Sequence, residues 1–138
     1  MPTPNAKPAA PVAASTAPSA PADATFALRD ALDTWLAAWS RQDVPGYLAQ
    51  YVPNYAPPGK KRAEWEKERG ERLKAPVFIR VGADEVKVQG EGATRARVSF
   101  VQKYESERYE EKSRKVLTFV KQDGRWLIEK EENSRMRP

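Results

Sequence analysis

Between Thr25 and Asp43 the apolar residues Leu28, Leu32, Trp35 and Trp39 recur three or four apart, Ala31 and Leu36 widen the stripe, and Arg29, Asp30, Asp33 and Arg41 take the other side. That spacing predicts an amphipathic helix, with Asp23 or Thr25 as its cap. Asp43 stands where it caps a second, short helix through VPGYLAQY, and Pro45 falls in the first turn, where its missing donor is harmless. Pro53 ends that helix, and Tyr55, Pro57, Pro58 and Gly59 form a loop. Lys60 to Leu73 predicts a third helix with Trp65, Arg69 and Leu73 on one side. Its apolar stripe is narrow and Gly70 weakens it, so it is expected to lie across another element with one face in water.

After Pro76 the period changes to two. Val77, Ile79 and Val81, then Val86 and Val88, alternate with polar residues, and Gly82 to Asp84 is expected to bend the chain between them. EGATRARVSFVQKY places Ala96, Val98, Phe100 and Tyr104 on one face and Arg95, Arg97, Ser99 and Lys103 on the other. RKVLTFV and RWLIEKE, joined by KQDG, predict a closing hairpin. These last strands carry apolar groups on both faces: Leu117 and Phe119 against Val116 and Val120, Leu127 against Trp126 and Ile128. A sheet covered twice is expected, by helices on one side and by a partner chain or curled sheet on the other, with Leu117, Leu127 and Val101 as dimer contacts. Helices first and antiparallel strands afterwards define an α+β class.

Composition divides the chain of 138 residues. Residues 1–24 hold half of its twelve prolines and almost no large apolar side chain, which reads as a disordered Ala/Pro-rich linker. Residues 25–134 are the folded domain and 135–138 a C-terminal tail. Lys7 and Asp23 cancel, so the net charge of +5 lies beyond the linker, where both signs are mixed. No run is apolar enough to cross a bilayer, and no apolar central region of a signal peptide precedes the Ala/Pro stretch. The chain has no cysteine, so disulfides do not decide its compartment.

ALDTWLAAWSRQDVPGYLAQYVPNYAPPG, the RAEWEKERGERL helix and the closing RKVLTFVKQDGRWLIEKEE together resemble the NTF2-like superfamily, in its SnoaL-like or DUF4440-like branch. They are most similar to the Cds6-like accessory domain attached to some bacterial L,D-transpeptidases and other envelope proteins. The resemblance implies a cone: N-terminal helices packed on a strongly curved antiparallel β-sheet, with a cavity between them and homodimers formed through the sheet. It also implies a periplasmic or cell-envelope location, and a small amphipathic ligand or an envelope protein as partner.

Within that cone the candidate ligand-binding residues are Trp39, Tyr51, Tyr55, Trp65, Arg97 and Tyr104. Tyrosine and tryptophan offer an apolar body with a polar tip, and Arg97 offers a guanidinium to a carboxylate or phosphate. Periodic placement of Trp39, Trp65 and Trp126 competes with this as ordinary core packing, and alternation sets Arg97 opposite Val98 and Phe100. Tyr51 and Tyr55 flank the proline-broken loop, and with Trp65 from the helix that follows they are expected to border the cavity mouth.

No catalytic residue is assigned. The resembling isomerases and cyclases use positioned acids, bases and tyrosines, sometimes with a histidine; this chain has no histidine, and Asn54 stands where a carboxylate is common in that branch. An enzyme of that kind, working through a cavity carboxylate, is one alternative reading. A weak nucleic-acid-binding module is the other, on the strength of GKKRAEWEKERGERLK, although glutamates interrupt its basic track. No metal or cofactor is expected, because the carboxylates are scattered and no glycine-rich phosphate loop is present. The favoured reading is a non-catalytic accessory domain of an envelope-associated protein that binds a ligand or another protein.

Overall fold

The computed structural model describes residues 22–135. Three helices precede four strands: α1 (Ala22–Ser40), α2 (Val44–Leu48), α3 (Arg62–Lys74), β1 (Ile79–Gly90), β2 (Arg95–Ser106), β3 (Glu110–Gln122) and β4 (Arg125–Arg135). Most of the expected linker lies outside the described residues. Its last three residues, however, already belong to α1, so the helix begins before Asp23 and Thr25, the two positions expected to start it.

Leu28, Leu32, Trp35 and Leu36 turn inward from α1 as their spacing requires, while Arg29, Asp30 and Asp33 are exposed. Gln42 closes the helix at a positive φ of 56°, and its side-chain amide donates to the carbonyls of Leu73 (2.9 Å) and Pro76 (2.7 Å). One polar side chain thereby ties the end of α1 to the end of α3. Asp43 caps α2 by accepting from the Gly46 N–H at 3.1 Å. A Cβ at Gly46 would lie 2.3 Å from Asp43 Oδ2, so this cap needs the glycine.

The strands pair antiparallel in the order β1-β2-β3-β4. Ala96, Val98 and Phe100 on β2 face Phe119, Leu117 and Lys115 on β3, and all six side chains are buried beneath the helices. Asp123 (φ 50°) and Gly124 (φ 77°) make the two-residue turn between β3 and β4; positive φ at both positions matches the right-handed twist of the flanking strands.

Three expectations about the sheet are corrected. The strongly curved sheet of a cone is replaced by an open four-stranded meander that leaves β1 and β4 as edges. Strong curvature requires repeated bulges or glycine kinks, whereas the pairing here is irregular only between Asp84 and Lys87 and between Thr118 and Phe119. Secondly, β1 runs through Gly82 to Asp84 without a bend; its irregularity comes next, with Glu85 at φ 54°. Thirdly, Leu117 faces the core and is fully buried, while Val101 and Leu127 are already 4% and 7% exposed within the single chain. These three residues therefore offer little surface for a dimer contact.

Candidate functional site

A pocket of about 210 Å³ opens between α3 and the core face of the sheet. Trp39 from α1 lines it together with Arg69, Arg72 and Leu73 from α3, Gln102 and Tyr104 from β2, and Glu111 and Lys115 from β3. Glu131 and Asn133 from β4 complete the sheet side, and Tyr109 sits at the turn between β2 and β3. Tyr109 is 53% exposed and stacks on Tyr104 with ring centroids 5.2 Å apart. The Glu107 carboxylate in the same turn accepts from the N–H groups of Val77 and Phe78, which fixes the turn against the segment leaving α3.

At the inner end of the pocket Glu131 is held by three partners. Lys115 Nζ lies 2.5 Å from Oε2, Tyr51 donates its hydroxyl to Oε1 at 2.9 Å, and Arg69 pairs with Oε1 at 3.6 Å. Tyr51 also accepts from the Trp35 indole N–H (3.1 Å) and shares a 2.9 Å hydrogen bond with the Tyr47 hydroxyl. Arg69 in turn donates to Tyr47 at 2.5 Å. Lys115 lies 5.6 Å from the ring centroids of both Trp35 and Trp39, where a cation gains from the negative ring faces.

Burial pushes the Glu131 carboxyl up, but the charges of Lys115 and Arg69 and the hydrogen bonds from Lys115 and Tyr51 overcome it and leave the group below its ordinary range. Burial, followed by the nearby Glu131 charge, pushes Tyr47 up to about 12 and raises Tyr51 well above a usual phenol. For Arg69, burial opposes the cation, while Tyr47, Glu131 and Tyr51 outweigh that opposition and hold it protonated. At neutral pH the network is thus an ionised carboxylate between two cations and neutral phenols.

The six residues expected to form one site are divided among three places. Trp39 and Tyr104 line the pocket, and their rings are 5.7 Å apart. Tyr51, Tyr55 and Trp65 form a separate packed cluster with centroid separations of 4.7 to 4.8 Å and exposures of 2%, 7% and 2%. They are core aromatics and do not line this pocket, so the rim position expected for Tyr51, Tyr55 and Trp65 is corrected. Arg62 and Arg69 cover the Trp65 ring at 5.0 and 5.4 Å. Arg97 lies on the opposite sheet face, half exposed, 3.8 Å from both Glu91 and Glu132.

Sequence reading missed Arg69, Gln102, Lys115 and Glu131 as site residues. Lys115 had a signal, because strict alternation from Phe119 and Leu117 places it on the apolar face. Glu131 had none: alternation from Trp126 and Ile128 points Lys130 inward, but Ile128 pairs with Phe119 and Lys130 with Thr118. Glu129 is the extra residue of that bulge, and the one-place slip turns Glu131 to the core face opposite Leu117.

Among the described residues no group of three or more histidine, cysteine, aspartate or glutamate side chains is placed to hold a metal ion, and no helix is long and apolar enough to cross a membrane.

The fold recurs in solved structures. The helical cell shape determining protein Pgp2 from Campylobacter jejuni matches with a TM-score of 0.74 at 20% identity, over 82% of this chain and 41% of that one. Bdellovibrio bacteriovorus Bd1075 matches with a TM-score of 0.72 at 21% identity, over 80% of this chain and 40% of that one. This chain thus spans about two fifths of the length of each. An NTF2-like protein from Pseudomonas putida KT2440 matches over nearly its full length, with a TM-score of 0.71 at 16% identity, covering 83% of this chain and 87% of that one. No curated protein sequence matches the chain. Residues 27–132 match the Cds6 C-terminal NTF2-like domain, and the chain belongs to that family.

Proposed function

We propose that this NTF2-like domain is a non-catalytic binding module of a bacterial envelope protein, and that its pocket beside Trp39 holds a ligand or a partner segment near the cell wall. The state of Glu131 carries this reading. A general acid or base needs a pKa near the working pH and a lone pair or proton available to the substrate. Glu131 is held below the ordinary carboxylate range, and both of its oxygens are engaged by Lys115, Tyr51 and Arg69. It organises the pocket wall instead of offering a base, which disfavours the isomerase-like or cyclase-like alternative.

A volume of about 210 Å³ suits one end of a longer molecule better than a whole drug-sized ligand. Aromatic side chains at Trp39, Tyr104 and Tyr109 beside charged groups fit an amphipathic occupant. The envelope setting is supported by the shared fold of a cell shape determining protein. Self-association through the outer sheet face belongs to the same proposal; half-buried Val116 and Val120 lie there between charged neighbours.

Co-sedimentation with purified cell-wall sacculi tests the reading. Wild-type protein is expected in the pellet, and Trp39→Ala and Arg72→Ala are expected to leave more of it in solution. Wild-type protein that stays wholly in the supernatant, with no shift of its pocket NMR signals on adding soluble wall fragments, would overturn the proposal.

A further inference from the structure

Gln102 lies on the core face of β2, opposite Ala83 on one side and Ser113 on the other. It lines the pocket and is only 6% exposed, yet its Oε1 is shielded from solvent and accepts no hydrogen bond. A buried carbonyl without a donor is destabilising, and an apolar side chain of the same shape would remove the penalty. The sheet therefore carries a polar group here that its own packing does not use.

The surrounding wall sharpens what would satisfy that group. Three cations, Arg69, Arg72 and Lys115, line the pocket with two carboxylates, Glu111 and Glu131. Arg69 and Lys115 are both engaged by Glu131, whereas Arg72 stands at the exposed edge. The pocket thus has a guanidinium at its mouth and, in a wall residue, an acceptor that is unsatisfied but shielded from solvent, and the rings of Trp39 and Tyr104 line the same space. The terminal torsion of a glutamine is soft, so turning the amide to face an entering group requires no backbone change.

We infer that the pocket takes a carboxylate carrying a secondary amide beside it, the chemistry of an N-acylated amino acid, with Gln102 accepting from the amide N–H and Arg72 facing the carboxylate. This rests on the pocket being the binding site proposed above, and it assigns Gln102 as the residue that selects for the donor. The same chemistry is found in a free N-acylated amino acid and at the C-terminus of a peptide.

The test is an NMR titration with N-acetylglycine, with its ester analogue O-acetylglycolate, which has an oxygen in place of the N–H, and with triglycine. The amide is expected to bind about tenfold more tightly than the ester, the worth of one hydrogen bond to a buried acceptor. Tighter binding of triglycine than of N-acetylglycine assigns the peptide source; the reverse assigns the free compound. Gln102→Met is expected to abolish the preference for amide over ester without lowering the unfolding midpoint. Equal affinity of wild-type protein for amide and ester, or a preference that survives in Gln102→Met, overturns the inference. A lowered midpoint in that variant does so as well, because the amide then has a structural partner. Should none of the three compounds shift pocket signals while the protein still sediments with sacculi, the inference fails and the wall-binding reading stands.

Discussion

Lys115 and Glu131 meet at 2.5 Å on adjacent strands, with side chains only 6% and 8% exposed. Breaking such a pair from one side leaves a buried charge without its partner. Glu131→Gln keeps the shape but removes the charge between Lys115 and Arg69, and is expected to cost about 3 to 5 kcal/mol in denaturant unfolding. Combining Glu131→Leu with Lys115→Met should recover part of that loss, because two apolar side chains need no partners. A Glu131→Gln variant as stable as wild type would show that the pair contributes nothing to the fold.

The same network predicts how stability varies with acid and base. The folded pKa of Glu131 lies below its ordinary value of 4.5, so its contribution is present above that value and is lost as pH falls through the folded pKa. Tyr47 and Tyr55 behave in the opposite sense: each is raised from 10.0 to about 12, so their contribution is complete below pH 10 and disappears as pH rises through 12. Unfolding midpoints across pH should therefore fall at both ends. The acid limb should be shallower in Glu131→Gln, and the alkaline limb shallower in Tyr47→Phe.

Tyr55 is expected to behave as a core residue. Its ring sits 4.8 Å from Tyr51 and 4.7 Å from Trp65, and only 7% of the residue is exposed. Tyr55→Ala should cost about 3 kcal/mol or more, in the range of Leu32→Ala, because both leave a cavity that their neighbours fill only in part. Side-by-side denaturant unfolding of the two variants decides this; a loss well under half that of Leu32→Ala would return Tyr55 to a rim.

What was legible in the sequence follows from where periodicity is strict. Leu28, Leu32 and Trp35 read directly as the buried stripe of α1, Asp43 as a cap, and Asp-Gly as a hairpin turn, since each depends on local spacing alone. The division of the aromatic residues was not legible. Tyr51 lies on an irregular segment that pairs with Ile128 of β4, and that long-range bridge draws it inward. Sheet curvature was inherited from the resemblance, and pairing irregularities are too few to deliver it. The pocket's ionic side chains escaped notice because charge normally marks a solvated face; only the bulge at Glu129 and the mutual pairing of Arg69, Lys115 and Glu131 make an inward arrangement stable.

Two arginines separate these cases experimentally. Arg97 was the guanidinium favoured by sequence, yet it is 46% exposed and its two carboxylate contacts are both at 3.8 Å. Solvent screening and side-chain entropy consume most of the gain from such a pair, so Arg97→Ala should change stability by no more than about 0.5 kcal/mol. Arg69 is 18% exposed, donates to Tyr47, pairs with Glu131 and covers the rings of Trp65 and Tyr47, linking α3 to both α2 and β4. Arg69→Met retains an apolar stem but removes every polar contact. Glu131 keeps Lys115, so the loss should stay below that of breaking the central pair, at about 2 to 3 kcal/mol. Hydrogen exchange supplies an independent check: amides of α3 should lose protection in Arg69→Met before those of β2 and β3, because Arg69 is its polar anchor to the sheet. Uniform loss across the domain would assign Arg69 to the global core, and unchanged protection of α3 would show that Trp65 and Leu73 alone hold the helix.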